Sequence, residues 1–524
     1  MRRIAQVLAV LLALLASAAI AFFVIASLRR LWYPFPLSAM EGSMALAVAR
    51  VAKGQPLYVS PDFHFIPYLY SPAYFWVSGW AAKLLGPDLV PLRLVSILST
   101  VGCLVLIALE VFAETGNRLA ALVGAGLYAS AYPAAQYFFD IGRVDSLYVF
   151  LVLLALLATR RLHPVFAALA WTLAFLAKQS IVPVAVVALC MDWKRPRRVL
   201  AGLATFALAS LGSTAWLDHS THGWFRYYIF TVPGASANTS LRMRPHLLVY
   251  MLTLLSPFSA TLIVIVAALL LTGVRWGNRA ARLYLGAGAA LILLVWFLAA
   301  HQGAVGNVAM PVYALLALAF GIALARLIRW LHGLPAAWLQ AGLTLLFLAA
   351  CAQFACQARP NMVSIPSPVL RASQQRFEDW LHSVPGDVLV VSHPYESVMA
   401  GKPAHPDEFA IRDSLSPGRP AVNLPLLNEI HQAIEQQALD AIVIDSTPQE
   451  EINHAPWLPA DLLERYPIVG VVPGSEPPPK PGSPLNPDLR FVLLPCRASG
   501  SVFAQSIAII SPPGAAPCSG MRPH

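Results

Sequence analysis

Apolar runs about as long as a bilayer-crossing helix, separated by short polar breaks, dominate the first two thirds of the chain. A hydrocarbon core of about 30 Å needs about 20 apolar residues per helix. Such runs occupy residues 4–28, 90–112, 119–135, 145–158, 164–177, 180–191, 199–217, 246–272, 283–300, 308–325 and 336–354. The pattern predicts an α-helical polytopic membrane protein with about 11 transmembrane helices. The runs between 145 and 191 are short, and short or broken helices are tolerated where they line a cavity inside the protein. The first run follows Arg2-Arg3 and contains Ala16-Ser17-Ala18, a loose match to a cleavable leader. It continues to Arg29-Arg30, however, and reads as a retained span.

The pattern changes after Gln357. Short apolar runs at 388–392 and 441–445 predict buried strands, with a helix over 428–439 between them. The chain therefore divides into a transmembrane part, 1–356, and a small extracytoplasmic α/β domain, 357–524. The second part has a proline-rich tail around Pro477-Pro478-Pro479-Lys480-Pro481. In the large first external loop, 29–89, Met40, Met44, Ala47 and Val51 recur at helical spacing. They predict an amphipathic helix on the membrane surface, capped by Ser38 and ended by Gly54. An aromatic-proline stretch, 63–76, follows, with His64, Tyr68, Tyr70, Pro72 and Tyr74 as interface anchors.

Composition agrees. Of 524 residues, 58% are apolar and 12% charged, with a mean hydropathy of +0.64. A soluble enzyme and a disordered chain are both excluded. The net charge of +10 would suggest nucleic acid in a soluble protein. Here alternate loops differ instead: one short set holds about 14 Lys and Arg in about 41 residues, the other about 10 in about 107. The basic set, including Lys194-Arg195-Pro196-Arg197-Arg198, is expected in the cytoplasm together with the amino terminus. An odd span count then puts the carboxyl-terminal domain outside the cytoplasmic (inner) membrane, and nucleic acid is not a partner. Cys103 and Cys190 sit in apolar runs and read as small hydrophobes. Cys496 and Cys518 fall in an oxidising compartment, where pairing and free thiols are both open.

Ionisable groups beside apolar helices mark the candidate chemistry, because a charge entering hydrocarbon costs at least about 2.5–3.5 kcal/mol. Glu41 has two readings. Ser38-x-x-Glu41 fits a capping box, and a carboxylate just outside the first span also fits a catalytic acid facing a cavity. Asp140, Arg143 and Asp145 gather at the external mouth of the third and fourth spans, either as an ion pair that sets helix depth or as a site. Lys178-Gln179 separates two short apolar runs, where a lysine can snorkel or hold a phosphate. Arg143, Lys178 and His301-Gln302-Gly303 share the outer helix ends, an arrangement suited to an anionic lipid-linked substrate. His219 and His222 are weak metal candidates, Asn238-Thr239-Ser240 is a glycosylation sequon, and His393-Pro394-Tyr395-Glu396 reads as a loop. No G-x-x-x-x-G-K-[ST] is present, so ATP-driven pumping by that route is excluded.

Glu41-Gly42, Lys53-Gly54-Gln55-Pro56-Leu57-Tyr58, Tyr68-x-Tyr70-Ser71-Pro72-x-Tyr74 and Arg93-Leu94-Val95-Ser96 occur in this order. Arg143-Val144-Asp145, Ala177-Lys178-Gln179 and the segment from His301 to Asn307 follow. The series resembles the GT-C superfamily, membrane glycosyltransferases that use polyprenyl-phosphate sugars, among them protein O-mannosyltransferases and lipid A aminoarabinose transferases. The resemblance implies a hexosyl- or pentosyltransferase of the cell envelope, acting on a lipid, glycan or protein acceptor by an inverting transfer. It implies Glu41 as general base, with Met40 standing where many members carry Asp, and Asp145 as an orienting acid. Arg143 and Lys178 would neutralise the donor phosphate, with Gln179, His301, Tyr70 and Asp140 around the substrate. No cofactor is specified, and a divalent metal is left open. Two other classes remain: a transporter or flippase of lipid-linked saccharides, against which the lack of internal hydropathy symmetry counts, and a non-catalytic assembly partner.

Overall fold

In the computed structural model, which describes residues 2–234, 244–273, 278–299, 306–358, 365–415, 420–474, 490–498 and 501–509, the apolar runs fold as helices. Among the described residues, 7 helices are long and apolar enough to cross a membrane: Arg3–Leu31, Leu89–Thr115, Pro196–Ser220, Val249–Thr272, Arg279–Leu298, Gly306–Leu331 and Ala336–Gln357. Arg118–Ser130, Val144–Arg161, Pro164–Ala177 and Val182–Cys190 are shorter; the first two are largely buried, and the last two expose Phe166, Leu169, Leu173, Val182 and Val186. Their starts are written in the sequence. The Asp88 side chain accepts from the Val90 amide at 2.8 Å and that of Asn117 from Ala120 at 3.0 Å. Pro164 and Pro196 occupy first-turn positions, where a missing amide hydrogen costs nothing.

Burial sorts the helices into two layers. The Met310–Leu331 segment is buried along most of its length, with Tyr313, Ala314, Ala317, Leu318 and Phe320 inside. Outer helices carry exposed Leu200, Leu208, Leu211, Leu270, Leu293 and Leu345, the lipid-facing surface of a membrane protein.

Beyond the bundle lies a five-stranded sheet: β1 (Val388–Val390), β2 (Ala441–Ile444), β3 (Ile468–Val471), β4 (Phe491–Leu494) and β5 (Ala508–Ile509), in the order β1-β2-β4-β3-β5. β1 and β2 run parallel with Leu389 opposite Ile442, and the other pairs are antiparallel. A parallel pair needs a crossover, supplied in part by the Pro420–Glu435 helix. That helix begins and ends earlier than the apolar spacing predicted, and it holds Pro425 inside it.

The sheet region rests on the long 29–89 loop. Glu429 accepts from the Phe63 amide at 3.0 Å, and a ring nitrogen of His405 lies 2.9 Å from the Phe63 carbonyl. Tyr33 donates to Gln374. The predicted helix is present as Ala39–Ala52, and part of it is covered by the rest of the protein. Glu41 through Ala45, with Ala47 and Val48, are buried, and Gly42 lies against Tyr395 of the sheet region. Ser38 precedes this helix without a side-chain cap bond. A second loop helix, Ala73–Leu85, occupies the end of the aromatic stretch. Cys496 is disulfide-bonded. Cys518, the Pro477–Pro481 tail, the Asn238 sequon and His301 lie outside the described residues.

Candidate active site

Asp145 sits in the first turn of the Val144–Arg161 helix, where the backbone amides favour a negative charge. Arg143 precedes that helix in extended conformation, so its side chain folds back toward the carboxylate. Lys178 occupies the break between Pro164–Ala177 and the 3-10 turn Gln179–Ile181, also extended. The three meet. Lys178 Nζ donates to Asp145 Oδ1 at 3.1 Å, and Arg143 Nε stands 3.5 Å from Asp145 Oδ2, beyond hydrogen-bond length.

Aromatic rings wall the cluster. Lys178 Nζ lies 5.6 Å from the ring centres of Tyr70 and Tyr148, and the Arg143 guanidinium 4.9 Å from that of Phe138. Arg143 Nη2 donates to the Tyr70 hydroxyl at 3.3 Å, and Nη1 approaches Met40 Sδ at 3.1 Å. Asn307 adjoins Asp145. Two cations thus face one carboxylate in a largely buried setting, with Lys178 the most accessible at 12%. Gln179 fixes the surroundings: its Nε2 donates to the Leu69 carbonyl at 3.0 Å and that of Ile229 at 3.2 Å, tying the Tyr70 loop to the segment at 224–231.

Glu41 is close by in space, through Gly142 and Met40, but differently employed. Its Oε1 accepts from Arg93 Nε at 2.9 Å and the Gly142 amide at 2.6 Å. Its Oε2 accepts from Arg93 Nη2 at 2.8 Å and the Leu37 amide at 2.6 Å. Burial alone would raise its pKa, but the Arg93 guanidinium and these bonds hold the carboxyl below its ordinary value. The capping-box geometry is not formed: the carboxylate reaches Leu37 and not the Ser38 amide. Gly142 is required at this approach, because a Cβ there would fall 2.9 Å from Leu92 Cβ and 3.0 Å from Glu41 Cγ. Arg93 also donates to the carbonyls of Arg30, Tyr33 and Phe35, so one guanidinium fastens the start of the 29–89 loop.

Asp140 is likewise engaged elsewhere, 2.9 Å from Arg30 Nε in a buried pair. The fold therefore brings Asp145, Arg143, Lys178 and Tyr70 into one place, sets Gln179 beneath them, and keeps Glu41 and Asp140 in two separate ion pairs. Arg93 and Arg30 were not assigned roles from sequence. Their signal was present all the same, since an arginine within or ending an apolar run must find a buried partner. Among the described residues, no group of three or more His, Cys, Asp or Glu side chains could hold a metal ion.

Solved structures share this architecture. The crystal structure of ArnT from Cupriavidus metallidurans bound to undecaprenyl phosphate matches with a TM-score of 0.56 at 14% identity, covering 91% of this chain and 97% of that one. The apo state of the same protein gives 0.54 at 15% identity, covering 91% and 98%. No protein-family model and no curated protein sequence matches the chain. The likeness is one of fold: the chain shares with that protein a polytopic helical architecture with a small sheet-bearing region.

Proposed function

We propose that this protein is an integral membrane glycosyltransferase that moves a sugar from a polyprenyl-phosphate donor to an acceptor on the external side of the membrane. The basic short loops and the amino terminus then face the cytoplasm, and the Asp145 cluster and the sheet region face outward. The observation that carries the reading is the Arg143–Asp145–Lys178 cluster at the mouth of an apolar bundle. Its fold also matches that of a protein crystallised with undecaprenyl phosphate along nearly its whole length.

The chemistry follows from the charges. Transfer breaks the bond between the sugar's anomeric carbon and the phosphate oxygen, so negative charge grows on the departing polyprenyl phosphate. Fixed cations stabilise that charge, and Arg143 and Lys178 are placed to supply it. The acceptor hydroxyl must lose its proton as it attacks the anomeric carbon from the face opposite the phosphate, giving inversion. Glu41, with both oxygens saturated, has no lone pair to offer, so we assign it and Arg93 to positioning. Asp145 keeps acceptor capacity: Oδ1 accepts from Lys178, Asn307 also bonds the carboxyl group, Arg143 Nε stands 3.5 Å from Oδ2, and a phosphate that draws Lys178 and Arg143 toward itself would free the carboxylate further.

The test is release of polyprenyl phosphate from a labelled polyprenyl-phosphate sugar by the purified full-length protein. Asp145→Asn is expected to lower turnover about 100-fold or more while the protein stays folded. Lys178→Met is expected to raise KM as well as lower kcat. Full activity of Asp145→Asn would refute the mechanism, and loss on Glu41→Gln in a protein of unchanged stability would return the base role to Glu41. Translocation without release would indicate a transporter instead.

A further inference from the structure

The Val144–Arg161 helix spans about 27 Å at 1.5 Å per residue. Asp145 stands in its first turn and Arg160-Arg161 in its last. A second group of cations therefore sits about one hydrocarbon thickness from the Asp145 cluster. It centres on the turn between Val182–Cys190 and Pro196–Ser220. Here one acid, Asp192, is clamped by Arg198 at 3.6 Å and Arg279 at 3.3 Å. Those two arginines are also fixed to the end of the Val144–Arg161 helix. Arg279 Nη2 donates to the Thr159 carbonyl at 2.7 Å, and Arg198 Nη2 to that of Leu162 at 3.0 Å.

Beyond this knot, in which two arginines outnumber one acid, the turn continues with Trp193, Lys194, Arg195 and Arg197, all exposed. Among the described residues, Lys194, Arg195 and Arg197 enter no ion pair. Trp193 is 53% exposed and lies 5.0 Å from the Arg282 guanidinium, the setting of an interfacial anchor. Leu200, one turn into the next helix, is 70% exposed and faces lipid. Loop charge alone would orient the chain, but it does not require a rigid turn whose one acid is already consumed and whose cations adjoin an acyl-facing leucine.

We propose that this turn is a binding site for the phosphodiester headgroup of an anionic glycerophospholipid in the leaflet opposite the Asp145 cluster. Lys194, Arg195 and Arg197 take the phosphate, Trp193 marks the headgroup level, and the acyl chains run along Leu200. The site is independent of the transfer reaction and stands whether or not that reading holds.

The full-length protein would be equilibrated with vesicles of equal phosphatidylglycerol and phosphatidylcholine, purified, and its retained lipid counted by mass spectrometry. Phosphatidylglycerol is expected to be enriched, with retention falling about fivefold for each cation removed in Lys194→Gln, Arg195→Gln and Arg197→Gln. Basic loops also direct insertion, so the charge-keeping variant Lys194→Arg/Arg195→Lys/Arg197→Lys serves as control and is expected to retain the lipid. The wild-type protein is expected to lose its preference between about 0.05 M and about 0.5 M salt. Equal retention of the two lipids, retention unchanged in the triple glutamine variant, a preference insensitive to salt, or displacement of the lipid by soluble glycerol phosphate at similar concentration would each overturn the proposal.

Discussion

Arg93 carries a charge into the first turns of an otherwise apolar helix and is fully buried there. Such a group is tolerable only when its donors are all taken, and Glu41 with three backbone carbonyls takes them. Removing one partner strands the other's charge, which costs about 3–5 kcal/mol, whereas replacing both with apolar groups costs far less. Arg93→Met is therefore expected to lower the unfolding temperature in detergent steeply, and Glu41→Leu/Arg93→Met to recover part of the loss. An additive double variant would show that the pair is not coupled. This pair also explains what the sequence could and could not disclose. Arg143, Asp145 and Lys178 stood out because charge is scarce in this chain. Glu41 did not resolve, since its local pattern fitted both a cap and a catalytic acid. The partners that decide its role, Arg93 and Gly142, are 52 and 101 positions away.

Helices were the most legible elements, because a run of apolar residues long enough to cross a bilayer has few alternatives. Their ends were less so. The predicted span at 119–135 stops as helix at Ser130. The chain then turns through Gln136 and Tyr137, both at positive φ, and composition cannot report that conformation. The Ala73–Leu85 helix, masked by its aromatic content, and strands β3, β4 and β5 were missed. Packing between spans relies on small residues, as expected where lipid removes the hydrophobic drive for association. A Cβ at Gly126 would fall 2.6 Å from both the Cα and the Cβ of Ala16 in the first helix. Gly126→Leu should thus force the two helices apart at a cost of about 1–3 kcal/mol. A thermal unfolding midpoint equal to wild type would contradict this packing.

At the scale of the whole molecule, the sheet region and the 29–89 loop meet around Asp407, which adjoins Ser43 of the Ala39–Ala52 helix. Burial pushes the Asp407 carboxyl up to about 6. Burial and the neighbouring Glu451 and Asp407 push Glu408 up to about 7. Both groups bind a proton in the folded state that the unfolded chain has released, so their contribution is fully present below about pH 4 and fades as pH rises toward about 7. Thermal unfolding of the sheet region should accordingly occur at lower temperature at pH 7.5 than at pH 5. Asp407→Asn should flatten that dependence, and a slope unchanged by it would place the titration elsewhere. The Glu41–Arg93–Gly142 contact has a different consequence, for biogenesis. At about 5–20 residues per second, the amide of residue 142 emerges seconds after Glu41 has been made. Until then the carboxylate has to wait in solvent. The loop around Glu41 can close fully only after residue 142, just ahead of the Val144–Arg161 helix, has been made, so this contact is assembled in order of synthesis, with its first segment the last to lock.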